Sequence, residues 1–251
     1  MNLIEFFKEH PRVAIAFSGG VDSTYLLYAA ARYAQECMAY YVKSAFQPQF
    51  EYEDAIRFCE NAKLPLRCLS VDVLAYPEVT DNPENRCYYC KQRIFTSIYE
   101  AAKEDGFTVL LDGTNASDDA DSRPGMRALR ELSVLSPLRI CGLTKAKIRE
   151  LSNEAGLPTW DKPAYACLAT RIPAGEKITQ EKLTATEEAE SFLLGLGFTD
   201  FRVRRRKDMA LLQVNREQMG KVLEHREEIL ERLKKYYSGV ALDLTERTHA
   251  D

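Results

Sequence analysis

The chain has 251 residues, of which 45% are hydrophobic and 29% are charged, as in ordinary globular proteins. Its formal net charge of −4 argues against a general nucleic-acid binder, and no apolar run approaches the roughly 20 residues that span a bilayer. Residues 1–12 contain charged side chains and lack the apolar centre of a signal peptide. We therefore expect a cytoplasmic protein without nucleic-acid or membrane partners, whose seven cysteines are reduced.

Predicted helices and strands alternate along residues 1–175. The pattern of apolar residues predicts helices at 2–10, 22–34, 49–63, 91–105, 126–132 and 145–155, and strands at 12–17, 38–42, 66–71 and 107–111. This alternation is typical of an α/β fold with a parallel sheet that helices cover on both faces. Ligands of such sheets bind at the carboxyl ends of the strands.

The pattern changes near residue 175. Helices are predicted at 181–194 and 216–237, and strands at 201–205, 209–214 and 240–244. We therefore predict an α/β domain at 1–175 and a small α+β domain at 176–251, which serves substrate binding or oligomerisation. Residues 160–175, just before the boundary, lack a clear periodicity, and a loop of this length is usually functional.

A turn with two glycines joins the first strand of the predicted sheet to the helix at 22–34, in the sequence Ser18-Gly-Gly-Val-Asp-Ser23. Because glycine lacks a Cβ atom, a phosphate can approach the backbone N–H groups at this helix N-terminus. The turn is not a Walker A loop, since the Gly-Lys-Ser/Thr ending is missing. A second turn, Asp112-Gly-Thr-Asn115, follows another strand and should lie beside the first. The candidate residues for ATP are Ser18, Gly19, Gly20, Asp22, Ser23 and Gly113, and Asp22 is also the candidate Mg²⁺ ligand and a catalytic candidate.

Charged residues near these two turns each allow two interpretations. Asp118, Asp119 and Asp121 follow the second turn and could either coordinate Mg²⁺ or form a solvated loop. Lys91 could stabilise the charge of an adenylylated carboxylate as a catalytic residue, or it could be an ordinary surface lysine. The sequence alone leaves both choices open.

Cys87 and Cys90 form a Cys-x-x-Cys pair, which by itself allows zinc, iron–sulfur, redox and structural roles. A zinc site would want four ligands, and the pair supplies two. We expect Cys167, in the loop at 160–175, to be the third partner. Three thiolates on a [4Fe–4S] cluster leave one iron that can bind an exogenous sulfide. Of the other cysteines, Cys37, Cys59 and Cys68 are predicted to lie in the core, and Cys141 is undetermined.

The first turn resembles the PP-loop of the ATP pyrophosphatase superfamily, whose members adenylylate an oxygen and release pyrophosphate. The whole chain resembles the LarE family, ATP-dependent sulfur transferases that build the nickel-pincer nucleotide of lactate racemase. The resemblance lies in residues 18–23, 86–91, 111–114, 123–125, 162–171 and 201–204. It implies a PP-loop α/β domain with a small C-terminal domain, assembled as a homo-oligomer.

The same resemblance implies a substrate and a reaction. In the LarE family, ATP adenylylates a carboxylate of pyridinium-3,5-biscarboxylic acid mononucleotide, and sulfur then displaces AMP to give a thiocarboxylate. Some members sacrifice the sulfur of one cysteine, which matches Cys167, and are left with dehydroalanine. Others also carry the Cys-x-x-Cys pair and resemble cluster-dependent tRNA thiolases. Because Cys87, Cys90 and Cys167 are all present, we favour a [4Fe–4S] cluster that receives sulfide or the sulfur of another donor.

Arg202 and Arg204 alternate on a predicted strand, so their side chains share one face. Two guanidinium groups on one face suit a phosphate monoester, and the resemblance assigns them to the phosphate of the substrate. The alternative is a solvated edge that continues into residues 205–207. Arg171 and Thr170 are weaker candidates for the same pocket.

Three other functions compete with this interpretation. A PP-loop tRNA thiolase would be expected to carry basic patches and a further zinc or RNA-binding domain, whereas this chain is acidic. A synthetase linked to an amidotransferase, such as NAD or GMP synthetase, would give the three cysteines no role. A nucleotide sensor would bind ATP without chemistry, and release of pyrophosphate would distinguish it from the enzymes.

Overall fold

The computed structural model describes residues 1–118 and 124–247, and it divides into two compact units. The first unit contains Met1–Val73 and Asn85–Lys162, and the second contains Leu74–Glu84 and the residues from Pro163 onward. The domain boundary predicted at residue 175 stays a prediction. Three residues named above lie outside the described residues: Asp119, Asp121 and Arg123.

The elements agree with most of those predicted from the sequence. The helices are α1 Leu3–Glu9, α2 Val21–Tyr33, α3 Gln49–Ala62, α4 Pro77–Thr80, α5 Arg86–Glu104, α6 Pro124–Glu131, α7 Pro137–Ile140, α8 Lys145–Glu154, α9 Gln180–Gly195, α10 Met219–Glu224 and α11 Arg226–Leu233. The strands are β1 Arg12–Ala16, β2 Glu36–Lys43, β3 Leu66–Ser70, β4 Leu110–Leu111, β5 Arg202–Arg206, β6 Met209–Gln213 and β7 Gly239–Leu242. Short 3₁₀ turns lie at Val73–Ala75, Leu168–Arg171 and Arg216–Gln218. None of the helices in the described ranges is both long enough and apolar enough to cross a membrane.

A parallel sheet in the order β3-β2-β1-β4 forms the centre of the first unit. Because successive side chains of a strand point to opposite faces, β1 contributes to two hydrophobic clusters. Val13 and Ile15 pack in a cluster with side chains of α1 and α2, whereas Ala14 packs with Phe95 and Ile98 of α5. Helices therefore cover both faces of the sheet, and the predicted α/β fold is confirmed.

A three-stranded sheet in the order β5-β6-β7 forms the centre of the second unit. β5 and β6 are antiparallel, whereas β6 and β7 are parallel. The inward-facing residues Val203 and Leu212 pack with Leu193 of α9 and Leu233 of α11. The predicted small α+β domain is confirmed as a separate sheet with its own core.

Two helix predictions are wrong, and the strand predicted at 107–111 contains only Leu110–Leu111. The helix predicted at 91–105 begins at Arg86, since Tyr88 donates a hydrogen bond of 2.7 Å to Glu131 and packing against α6 stabilises the added turn. The long helix predicted at 216–237 is broken into a 3₁₀ turn and two helices that meet at His225. His225 caps both helices, and its ring nitrogen lies 3.1 Å from Glu228 in the first turn of α11.

Candidate functional site

The turn between β1 and α2 is held by the side chains of its own serines. Ser23 Oγ lies 3.2 Å from the backbone nitrogen of Ser18, which donates to it, and 3.1 Å from Ser18 Oγ. Ser23 Oγ also donates to the carbonyl of Gly20 at 3.2 Å. Gly19 adopts φ +74°, a conformation that L side chains rarely adopt, and a Cβ atom there would lie 3.4 Å from Ala55. The glycines therefore allow a tight turn at the N-terminus of a 13-residue helix, where an anion is favoured.

The second turn packs directly on the first. A Cβ atom at Gly113 would lie 3.0 Å from the backbone nitrogen of Ser23, so a larger residue would push the two turns apart by a few tenths of an ångström. Asp112 is buried and accepts hydrogen bonds from Thr114 Oγ1 and, at 2.6 Å, from Ser136 Oγ. The two turns are adjacent, as expected, because β1 and β4 are neighbours in the sheet.

Asp22 forms an ion pair that the sequence did not reveal. Lys145 Nζ lies 2.6 Å from Asp22 Oδ2, and the lysine begins α8, for which Thr144 is the N-cap as predicted. Within the described residues, Asp22 Oδ1 is buried and has no hydrogen-bond partner. Burial raises the pKa of Asp22, and the opposite charge of Lys145 only partly offsets this. A buried carboxylate oxygen without a partner fits a cation such as Mg²⁺.

Asp118 stabilises the loop that follows the second turn. Its carboxylate accepts a hydrogen bond of 3.0 Å from the backbone of Asn115, and its carbonyl accepts one of 2.8 Å from Arg139. This capping role accounts for Asp118 without a metal ion. Its assignment as a Mg²⁺ ligand stays a prediction.

Cys87 and Cys90 lie in the first turns of α5, where a spacing of three residues places them on the same side of the helix. Cys87 is exposed, Cys90 is half-buried, and an Arg86 nitrogen lies 3.8 Å from Cys87 Sγ. Lys91 is also half-buried, and its aliphatic stem covers Gly125 of α6. A Cβ atom at Gly125 would lie 2.8 Å from Lys91 Cδ, so this glycine makes room for the lysine.

None of the seven cysteines, all of which lie in described parts of the chain, forms a disulfide. Cys59 is buried as expected, whereas Cys68 is exposed because β3 is an edge strand of its sheet, so the core prediction for Cys68 is wrong. Cys87 and Cys90 belong to the first unit and Cys167 to the second. In residues 1–118 and 124–247, no group of three or more His, Cys, Asp or Glu side chains is arranged to hold a metal ion.

Cys167 immediately precedes the 3₁₀ turn at Leu168–Arg171 in the second unit. The turn fixes its backbone, because the Cys167 carbonyl accepts hydrogen bonds from the nitrogen of Thr170 at 3.0 Å and from Thr170 Oγ1 at 2.8 Å. The Cys167 side chain is half-buried. The predicted irregular loop therefore contains one ordered turn directly after the cysteine.

Glu190 of α9 is buried and binds three parts of the second unit, which no sequence pattern predicts. Its carboxylate forms a forked pair with Arg171, whose Nε and Nη2 donate at 2.7 and 3.0 Å. It also accepts from Tyr165 OH and, at 2.8 Å, from the backbone of Val203 in β5. Arg171 is only 1% exposed, and its third nitrogen donates to Thr170 Oγ1 at 2.7 Å. Arg171 is thus engaged in holding the Cys167 loop, and its direct contact with a substrate stays a prediction.

Arg202 is only 4% exposed, so it does not belong to a solvated edge of the sheet, which was the alternative interpretation. Its two terminal nitrogens donate to the carbonyls of Phe201 at 2.6 Å and Ala164 at 2.5 Å. Burial, followed by the positive charge of Arg171, lowers the pKa of Arg202 to about 10, at which the group is still charged at neutral pH. Arg202 is therefore a buried, charged side chain. In the described part of this unit, no carboxylate is hydrogen-bonded to its guanidinium group.

Arg204 is half-buried on the same strand. Its Nε donates to Gln213 of β6 at 2.5 Å, and its Nη1 donates to the Thr170 carbonyl at 3.0 Å. Arg204 therefore connects β5 to the turn that follows Cys167. Arg206, the next arginine on this side of the strand, is exposed.

A family model described as a PP-loop domain matches residues 1–131. The chain belongs to the PP-loop family. An uncharacterized protein of a Synechocystis species is 38% identical over 87% of this chain and 82% of its own length. The pyridinium-3,5-bisthiocarboxylic acid mononucleotide synthase of Lactiplantibacillus plantarum is 29% identical over 96% of this chain and 89% of its own length. An uncharacterized protein of Methanocaldococcus jannaschii is 30% identical over 94% of this chain and 89% of its own length. The resemblance to the LarE family and the assignment as an ATP-dependent sulfurtransferase are confirmed.

Proposed function

We propose that this PP-loop protein adenylylates a carboxylate of pyridinium-3,5-biscarboxylic acid mononucleotide and replaces one oxygen with sulfur, for synthesis of the nickel-pincer nucleotide. The observation that carries the proposal is the match to the Lactiplantibacillus synthase, since it extends over both units and 96% of the chain. The paired arginines of β5 in the second unit support a substrate with a phosphate.

ATP binds at the two turns of the first unit. The backbone N–H groups of residues 18–23 bind its phosphates at the N-terminus of α2. Gly113 allows the second turn to pack closely against this first turn. Asp22 would hold Mg²⁺ through its unpartnered oxygen, and Lys145 supplies a positive charge beside it. A carboxylate oxygen of the substrate attacks the α-phosphorus, the bond to the β-phosphate breaks, and pyrophosphate leaves.

Sulfur then replaces AMP on the adenylylated carboxylate. A sulfur nucleophile attacks the carbonyl carbon, the bond to the AMP oxygen breaks, and a thiocarboxylate remains. The cluster is inferred from the chemistry of the three thiols of Cys87, Cys90 and Cys167, none of which is in a disulfide, and not from their placement in the fold. When bound, the cluster would supply an iron without a protein ligand, which can carry inorganic sulfide. The alternative is that Cys167 gives up its own sulfur. Lys91 offsets the negative charge that develops at the adenylylated group.

The second unit binds the substrate phosphate. Arg202 and Arg204 lie on one face of β5, where Arg202 donates to the carbonyl of Ala164, before Cys167, and Arg204 donates to the carbonyl of Thr170, in the turn after it. Glu190 binds Arg171 of that turn and the backbone of Val203 in β5, so it links the proposed phosphate site to the turn that follows Cys167. A phosphate bound there would place the pyridinium carboxylates in a constant position relative to Cys167.

Replacing Arg202 or Arg204 with alanine should raise the KM for the mononucleotide about tenfold or more, because a charge-assisted hydrogen bond contributes roughly 1.5–3 kcal/mol. The KM for ATP should remain unchanged. The matched control is Arg206→Ala, which removes an exposed arginine from the same strand. Steady-state kinetics with both substrates test this, and an unchanged KM for the mononucleotide in both variants would remove the arginines from the site.

Partners and location stay predictions. The LarE resemblance implies a homo-oligomer that uses sulfide or another sulfur donor, and the composition leads us to expect a cytoplasmic protein. A tRNA substrate is the competing possibility, and it is tested by offering unmodified tRNA in place of the mononucleotide. Incorporation of sulfur into tRNA would contradict the proposed substrate.

A further inference from the structure

Asn82 is a buried asparagine that the proposed mechanism does not use. It is 1% exposed and adopts φ +55°, a left-handed conformation that asparagine tolerates better than most residues. Its Nδ2 donates to the carbonyls of Ile172, Pro173 and Glu176, at 3.3, 2.7 and 3.2 Å. The side chain therefore binds three backbone positions of one loop with a single amide nitrogen.

Backbone hydrogen bonds strengthen the link between this segment and the loop. The Asn82 carbonyl accepts from the nitrogen of Gly175 at 2.8 Å, and the Thr80 carbonyl accepts from the nitrogen of Ile178 at 2.7 Å. Gly175 adopts φ +79°, so the loop side of the link also has left-handed backbone. All of these residues belong to the second unit. Side-chain and backbone contacts thus tie the segment Leu74–Glu84 to residues 172–178.

The loop that Asn82 binds directly follows the turn after Cys167. That 3₁₀ turn ends at Arg171, and Ile172 is its C-cap. Glu190 of α9 binds Arg171, and Asn82 binds the next residue, so side chains from two different segments hold the end of the turn. Because a loop with fewer anchors opens locally at lower cost, removal of Asn82 should loosen the segment that contains Cys167.

Asn82 also lies shortly before the Cys-x-x-Cys pair in the chain. Three residues separate it from the start of α5, and Cys87 lies in the first turn of that helix. Cys87 is five residues after Asn82, and Cys167 is five residues before Ile172. A chain of five residues extends at most about 18 Å. The two segments that contain these cysteines therefore leave from one anchored point in the second unit.

We infer that Asn82 is a positioning residue for sulfur transfer, which anchors the turn after Cys167 and the segment that leads to Cys87 at one point. It acts through the backbone of residues 172–176. The inference rests on the proposed function in taking Cys167 as a residue of the sulfur-transfer step. The adenylylation step uses the two turns of the first unit, so it should not depend on Asn82.

Asn82→Gly removes the side-chain donor and still allows the left-handed backbone. We expect pyrophosphate release at the wild-type rate and thiocarboxylate formation about 10²-fold slower, because a small misplacement of a reacting group has an effect of this size. A single-turnover reaction of the full chain with MgATP, sulfide and the mononucleotide, stopped at intervals and analysed by mass spectrometry, measures both steps. A merely structural role would slow both steps equally.

Gly175→Ala disturbs the same link from the loop side. Gly175 is exposed, and a Cβ atom there would have no neighbour within 4 Å among the described residues, so the fold should survive. The strained backbone should give a smaller loss that is again confined to thiocarboxylate formation. Gln218→Ala is the matched control, since this amide binds the backbone of Thr199 at 2.6 and 2.8 Å elsewhere in the second unit. It should retain both rates.

Alkylation of Cys167 by iodoacetamide tests the anchor without substrate. Peptide mass spectrometry should show that Cys167 reacts about tenfold faster in Asn82→Gly than in the wild-type protein or Gln218→Ala. A folded Asn82→Gly protein that forms thiocarboxylate at the wild-type rate, or that loses both steps equally, would overturn the positioning role. If the wild-type protein does not convert the mononucleotide, the proposed function is wrong. The alkylation rate then decides alone, and an unchanged rate in Asn82→Gly refutes the anchor.

Discussion

Asp22→Ala should lower the rate of ATP-dependent pyrophosphate release by roughly 10²-fold or more, because it removes a preorganised charge from the nucleotide site. Asp22 pairs with Lys145 through one oxygen and leaves the other buried without a partner among the described residues. The fold should survive, since Lys145 is 34% exposed and can turn to solvent. A coupled pyrophosphate assay measures the rate, and circular dichroism checks the fold.

Glu150→Ala is the control for Asp22→Ala. Glu150 forms a 2.7 Å pair with Lys147 on α8 and is 55% exposed, so its removal deletes a carboxylate from the same unit without touching the turns. Exposed pairs of this kind contribute little to stability. Pyrophosphate release that is the same in Asp22→Ala, Glu150→Ala and the wild-type protein would contradict the assignment of the nucleotide site.

Cys167→Ala should abolish sulfur transfer completely, because both proposed sulfur sources need this thiol. The effect of Cys87→Ala distinguishes the two sources. If a cluster is used, protein purified without oxygen should be brown, contain about four irons per chain and turn over repeatedly with added sulfide, and Cys87→Ala should lose all of this. If Cys167 is sacrificed, the protein should be colourless and transfer one sulfur per chain, with the mass loss of H₂S at that residue.

Cys68→Ala is the matched control for the cysteine variants, since Cys68 is another exposed cysteine of the first unit. It should retain iron, colour and activity in full. Iron analysis, the visible spectrum and mass spectrometry of the intact protein give the readouts. A Cys87→Ala protein with full single-turnover activity and the loss of H₂S at Cys167 would overturn the preference for a cluster.

Local patterns predicted the glycine turn between β1 and α2 well. The motif at residues 18–23 is contiguous, and its glycines and serines act on one another within five positions, so the sequence contains the whole turn. The alternation of apolar residues likewise located β1 and α2 to within about one residue. The turn, β1 and α2 depend on contacts between residues that are close in the sequence, so their spacing in the sequence predicts these contacts.

Contacts between distant residues could not be predicted from the same patterns. Lys145 meets Asp22 across 123 positions, although the N-cap at Thr144 already placed it in the first turn of a helix. Glu190 is one of several glutamates on a polar helix, and only the folded unit shows that it binds Arg171. The segment Leu74–Glu84 joins the second unit through backbone contacts, including Thr80 to Ile178 at 2.7 Å, which leave no periodic signal.

The most direct test of the proposed function uses wild-type protein purified without oxygen and mixed with MgATP, sulfide and pyridinium-3,5-biscarboxylic acid mononucleotide. Mass spectrometry of the small molecules and assays of AMP and pyrophosphate follow the reaction. We predict that sulfur replaces oxygen in a carboxylate of the mononucleotide, with one AMP and one pyrophosphate released for each sulfur transferred. An unchanged mononucleotide in a protein that still binds ATP would contradict the proposed function.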